Sequence, residues 1–107
     1  MRGVRRTQAE RQAHLMTEAE LKGTVVRMAT ALGWQVYHVP QDRIPNGGGR
    51  GYPDLTLARD GEVQWMELKR EDGRLSIEQA GWQLALPRCE VIRPSDLARG
   101  RVDELLA

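Results

Sequence analysis

Pro53-Asp54-Leu55-Thr56-Leu57-Ala58-Arg59-Asp60-Gly61-Glu62-Val63-Gln64-Trp65-Met66-Glu67-Leu68-Lys69 is the stretch whose reading decides the fold. Asp60-Gly61 lies between two runs of strand-forming residues, a strong local signal for a β-hairpin. A turn centred on that dipeptide pairs Arg59 with Glu62 and, at the far end, Asp54 with Glu67. Directly opposed side chains have Cβ atoms roughly 4.5–5.5 Å apart, and like charges so placed repel. Lys69, two residues on, returns to the same strand face. Two acids brought together in this way need a counter-charge. A divalent cation fits, because hard cations take carboxylate and phosphate oxygens.

The rest of the chain reads outward from this hairpin. Upstream, Thr17-Glu18-Ala19-Glu20 has the form of a capping box. Leu21, Val25, Met28 and Leu32 follow at helical spacing, with Gly33 as a stop. This predicts a helix over 17–32. Trp34 to Val39 predicts a first strand, and Pro40 to Gly51 a Gly-rich loop. The hairpin supplies strands over 54–59 and 63–70. Downstream, Asp72-Gly73 is a turn, and Ser76 with Gln79 forms a second capping box. That box opens a helix over 77–86, stopped by Pro87. Cys89 to Ile92 predicts a fourth strand. Ser95-Asp96 caps a last helix carrying Leu97, Val102, Leu105 and Leu106. The order αβββαβα implies an α/β fold, a small mixed sheet with helices on both faces.

Helical phase separates the acids of the first helix. Glu18 precedes Leu21 by three residues and Val25 by seven, placing it on the apolar face toward the sheet. Glu20 lies roughly 200° away and serves the capping box. Glu18 is therefore a third candidate acid. The alternative is a glutamate favoured only by the helix dipole.

Bulk properties limit the function classes. A chain of 107 residues suits one domain. Hydrophobic and charged fractions of 40% and 29% are ordinary for a globular protein. No apolar run approaches the length of a membrane span, and the basic N-terminus lacks the apolar stretch of a secretory signal. A single cysteine, Cys89, excludes an internal disulfide and a cysteine-rich zinc site and suits the cytoplasm. The net charge of +1 gives no global basic field, so any nucleic-acid partner would meet local patches. Arg2, Arg5, Arg6 and Arg11 form one such patch. Residues 1–16 are thus a basic arm or short helix, either a solvated tail or a segment lying on phosphate.

Glu18, the Gly51-x-Pro53-Asp54 run, Glu67-x-Lys69 and the Leu75-Ser76-x-x-Gln79 run together resemble the VRR-NUC domain, a branch of the PD-(D/E)XK nuclease superfamily. The resemblance covers about residues 17–107; residues 1–16 match nothing in the family. It implies a restriction-endonuclease-like αβββαβ core, here followed by a C-terminal helix, and Mg²⁺- or Mn²⁺-dependent cleavage of DNA. Stand-alone members occur in phages, and the domain also ends a eukaryotic DNA-repair nuclease. A Holliday-junction-resolving homodimer in a bacterial or phage-infected cytoplasm is the corresponding expectation.

On this reading Asp54, Glu67 and the backbone carbonyl of Leu68 bind the metal. Glu18 binds through water or completes a second metal site. Lys69 orients the attacking water or stabilises transition-state charge. Gln79 either closes its capping box or, as the resemblance implies, makes a polar contact near the site. A sequence-tolerant nickase or flap nuclease is the nearest alternative; a non-catalytic DNA-binding module is a third. Arg43 and Arg50 in the Gly-rich loop, Arg70 and Arg74 beside the acids, and Arg5 and Arg6 in the arm are candidate DNA contacts. The Gly-rich loop lacks the Gly-Lys-Ser/Thr of a P-loop, so no nucleotide cofactor is expected. His38 is a strand-end residue more simply read as structural, and Trp34, Trp65 and Trp82 read as core.

Overall fold

The computed structural model describes residues 6–38 and 49–107. The predicted roles of Arg5, Arg43 and most of the Gly-rich loop lie outside these residues. The elements run α1 (Gln8–Leu15), α2 (Glu18–Ala31), β1 (Gln35–His38), β2 (Leu55–Arg59), β3 (Glu62–Leu68), α3 (Ile77–Ala85), β4 (Cys89–Ile92), α4 (Pro94–Ala98) and α5 (Arg101–Leu106). They form a mixed α/β fold around one four-stranded sheet, ordered β1-β2-β3-β4.

The hairpin has the register its turn demands. Leu55 pairs with Met66, and Arg59 with Glu62. Asp60 and Gly61 both take positive φ, 51° and 80°, as a tight hairpin turn requires. β1 joins β2 antiparallel. β4 joins β3 in parallel, with α3 in the crossover between them. One face of the sheet carries Leu55, Leu57, Met66 and Leu68, which join Leu21, Val25 and Ala29 of α2 and Val102 and Leu106 of α5 in a single core.

The opposite face carries Glu67 and Trp65, away from α2, so Trp65 does not join the core as expected. Trp65 is half-buried and donates to the hydroxyl of Tyr52 at 2.8 Å. Trp82, also half-buried, donates to the Arg50 carbonyl and meets Tyr52 edge-on at 5.0 Å. Only Trp34 belongs to the core.

Within the stretch read as an arm or short helix, residues 8–15 are helical, opened by a complete capping box between Thr7 and Glu10. Two predictions change at the last helix. The last helix is two short ones, parted at Gly100, whose φ of 77° interrupts helical geometry. The first of these starts at Pro94, and Asp96 accepts from the Arg93 N–H, so Ser95 is not its cap. α3 keeps its predicted box between Ser76 and Gln79 but buries none of its residues.

Strand β3 also stops two residues early. Arg93 Nη1 donates to the carbonyls of Arg70, Glu71 and Gly73 and folds that segment into a turn. Among the described residues no helix is long and apolar enough to cross a membrane.

Candidate active site

Four elements converge on one pocket of about 430 Å³. Its walls are Glu18, Ala19 and Lys22 from α2, Asp54 just before β2, Glu67 and Leu68 at the end of β3, Lys69 beyond it, and Gln79 from α3. Every side chain that the sequence assigned to catalysis is therefore in one place.

Asp54 lies one residue before the strand predicted to contain it. Its Oδ2 accepts the Leu68 N–H at 2.7 Å, which closes the open end of the hairpin and holds the carboxylate beside Glu67. Leu68 has its side chain in the core, so its main chain is what faces the pocket. Glu67 is only 3% exposed. Burial, followed by the adjacent Asp54 carboxyl, pushes its pKa up to about 9. Lys69 pulls in the other direction, and Glu18 adds to the rise.

Gln79 reconciles its two predicted roles. Its Oε1 accepts the Ser76 N–H at 2.8 Å, the capping-box bond. Its Nε2 donates to Glu67 Oε2 at 3.2 Å. One amide thus caps α3 and grips the buried acid. Gly51 makes the approach of α3 feasible. At φ 78°, it lies so close that an added Cβ would come within 2.5 Å of the Gln79 nitrogen and the Glu78 carbonyl carbon.

Glu18 is exposed, contrary to the buried-side expectation. It sits in the first turn of α2, where the helix mouth opens to solvent. Its carboxylate shares the pocket with Asp54 and Glu67, and its charge acts on Glu67. No cluster of three or more His, Cys, Asp or Glu side chains poised to hold a metal occurs among the described residues. The donors that do converge are the carboxylates of Asp54 and Glu67, hard oxygens suited to Mg²⁺ or Mn²⁺, with Leu68 on the pocket wall beside them. A nearly buried carboxylate pressed against a second acid is what a cation would relieve, so these residues fit such an ion.

The candidate DNA contacts Arg6, Arg50, Arg70 and Arg74 are exposed, and none lines the pocket. His38 is exposed at the end of β1. Lys22 is the charged pocket residue that sequence reasoning missed. It lies four residues after Glu18, one helical turn along the same face, so the phase that selected Glu18 selects it too.

No family model, curated protein or solved structure matches this chain.

Proposed function

We propose that this protein is a divalent-metal-dependent DNA endonuclease of the VRR-NUC type, with a restriction-endonuclease-like core. The observation that carries the reading is the Asp54–Glu67 pair, held face to face in a pocket that also contains Lys69, Glu18 and Gln79. A structural ion cluster has no need of two opposed acids, one of them almost fully buried.

Asp54 and Glu67 would hold the metal, with the Leu68 carbonyl as a third donor and Glu18 acting through water. When bound, Mg²⁺ or Mn²⁺ supplies Lewis acidity and lowers the pKa of its water. Glu67 would have to be ionised to serve as a ligand. Gln79 Nε2 holds one Glu67 oxygen, and the Leu68 N–H holds one Asp54 oxygen, so both carboxylates are oriented before substrate arrives. Lys69 places its ammonium beside the reacting phosphate, where it orients water or offsets developing charge. The exposed Arg50, Arg70 and Arg74 supply phosphate contacts away from the cut.

The substrate proposed is branched DNA, cut by a homodimer. The two-fold symmetry of such a dimer would present two pockets to the two strands of a four-way junction.

The test is cleavage of labelled four-way junction, flap and linear duplex with Mg²⁺, Mn²⁺ or EDTA. Metal-dependent cutting that disappears in Asp54→Ala and Lys69→Ala supports the proposal. Absence of cutting by the wild type, or undiminished cutting by either variant, sinks it. Equal cutting of duplex and junction leaves a sequence-tolerant nickase, and flap-restricted cutting a flap nuclease. A monomer in light scattering with junction bound rules out paired incision.

A further inference from the structure

The chain carries sixteen basic side chains, and only two of them, Lys22 and Lys69, are lysines. Both line the acidic pocket, and no arginine does. The segregation extends to pairing. All five salt bridges among the described residues are made by arginines, so neither lysine is tied to a carboxylate there.

The chemistry of the two cations explains this division. A guanidinium presents a planar fork that chelates a carboxylate through both oxygens. Placed beside Asp54 and Glu67, it would occupy the oxygens that a metal needs. An ammonium is a compact point charge on a flexible stem. It can lie near the same acids and leave their lone pairs available.

Charge balance gives the second lysine a task. Three carboxylates and two ammonium groups leave the fully ionised pocket with one negative charge. One divalent cation turns that into one positive charge, which a single phosphodiester neutralises. Without Lys22 the loaded pocket would be neutral and would not attract the phosphate.

Building on the proposed nuclease reading, we infer that Lys22 is a substrate-binding residue. Its ammonium takes a non-bridging oxygen of the scissile phosphodiester from the α2 wall, and Lys69 at the end of β3 is left for the water and the transition state.

Lys22→Met keeps the aliphatic stem and removes the charge, and Lys22→Arg keeps the charge and introduces the fork. Binding of a labelled DNA duplex is measured by anisotropy in EDTA and in Ca²⁺ over a series of salt concentrations, beside cleavage kinetics in Mg²⁺. Lys22→Met is expected to bind about tenfold more weakly at low salt, with the slope of log K against log salt reduced by roughly 0.9. Its KM rises more than its kcat falls. Lys22→Arg keeps the slope but loses kcat. A purely structural role for Lys22 would change the melting temperature and leave the slope as in wild type. Wild-type slope, KM and kcat in Lys22→Met overturn the assignment and leave the nuclease reading standing. A wild type that cuts no DNA overturns the nuclease reading, and the assignment falls with it. If Lys22→Met does not fold, Lys22→Gln carries the same comparison.

Discussion

The side-chain amide of Gln79 spans from the start of α3 to the buried carboxylate of Glu67, accepting from the Ser76 N–H with one end and donating to Glu67 Oε2 with the other. The two ends can be separated by mutation. Gln79→Glu retains an acceptor for the Ser76 N–H but sets a third acid against Glu67. It should melt near the wild-type temperature and lose most metal-dependent cleavage. Gln79→Ala loses both bonds and should also cost about 1 kcal/mol of stability, read by denaturant titration.

Glu67 predicts how stability depends on pH. Its pKa rises from 4.5 to about 9 on folding, chiefly through burial. Below 4.5 the group is protonated in both folded and unfolded chains and costs nothing. Between these values the unfolded chain gives up the proton and the folded protein keeps it. Stability therefore falls as pH rises through this window. Thermal melts in EDTA should show the decline, and Mg²⁺ or Mn²⁺ should reverse it on the alkaline side. Glu67→Gln should melt higher than wild type in EDTA at pH 8, lack the metal response and cut no DNA. A metal-free melting temperature that rises steadily from pH 5 to 8 in wild type but not in Glu67→Gln would contradict this account.

Gly51 tests the seating of α3. Alanine there meets the Gln79 and Glu78 backbone and an unfavourable positive φ at once. Gly51→Ala should lose about 2 kcal/mol or more. Cleavage should drop further than the unfolded fraction explains, because the amide of Gln79 moves off Glu67. Gly49 has the same φ of 78° with nothing near its Cβ position among the described residues, so Gly49→Ala is the comparison for backbone strain without that close approach.

Arg59 is the corresponding test away from the pocket. Its guanidinium lies 4.3 Å from the Trp34 ring centroid and donates to the carbonyls of Leu32, Leu106 and Ala107. It thus ties the hairpin turn to α2 and the C-terminus. Arg59→Ala should lower stability by about 2 kcal/mol and leave the cleavage rate of the folded protein unchanged at low temperature. Calorimetry and an assay well below the melting temperature check the two halves.

Local chemistry alone was enough to place the hairpin, its register and two capping boxes. A two-residue turn fixes pairing by geometry, and Thr17, Ser76 and their partners three residues on cap helices through bonds within one turn. The opposition of Asp54 and Glu67 followed from the same register. Helical phase pointed at Glu18 but misjudged its exposure, because phase says which side a residue lies on and not where the covering sheet ends. The split at Gly100 and the early end of β3 were illegible for a related reason. The first rests on one glycine's φ, and the second on Arg93 reaching from twenty residues away.

The sequence by itself determined the order of the four strands with α2 and α3 among them, and the paired acids, since these depend on neighbours along the chain. Only the tertiary structure decided that α2 packs on the face away from Glu67, that Gln79 both caps and grips, and that Lys22 joins the pocket. Those outcomes depend on which sheet face offers the apolar surface and on how closely Gly51 lets α3 approach, distances between segments that no local pattern encodes.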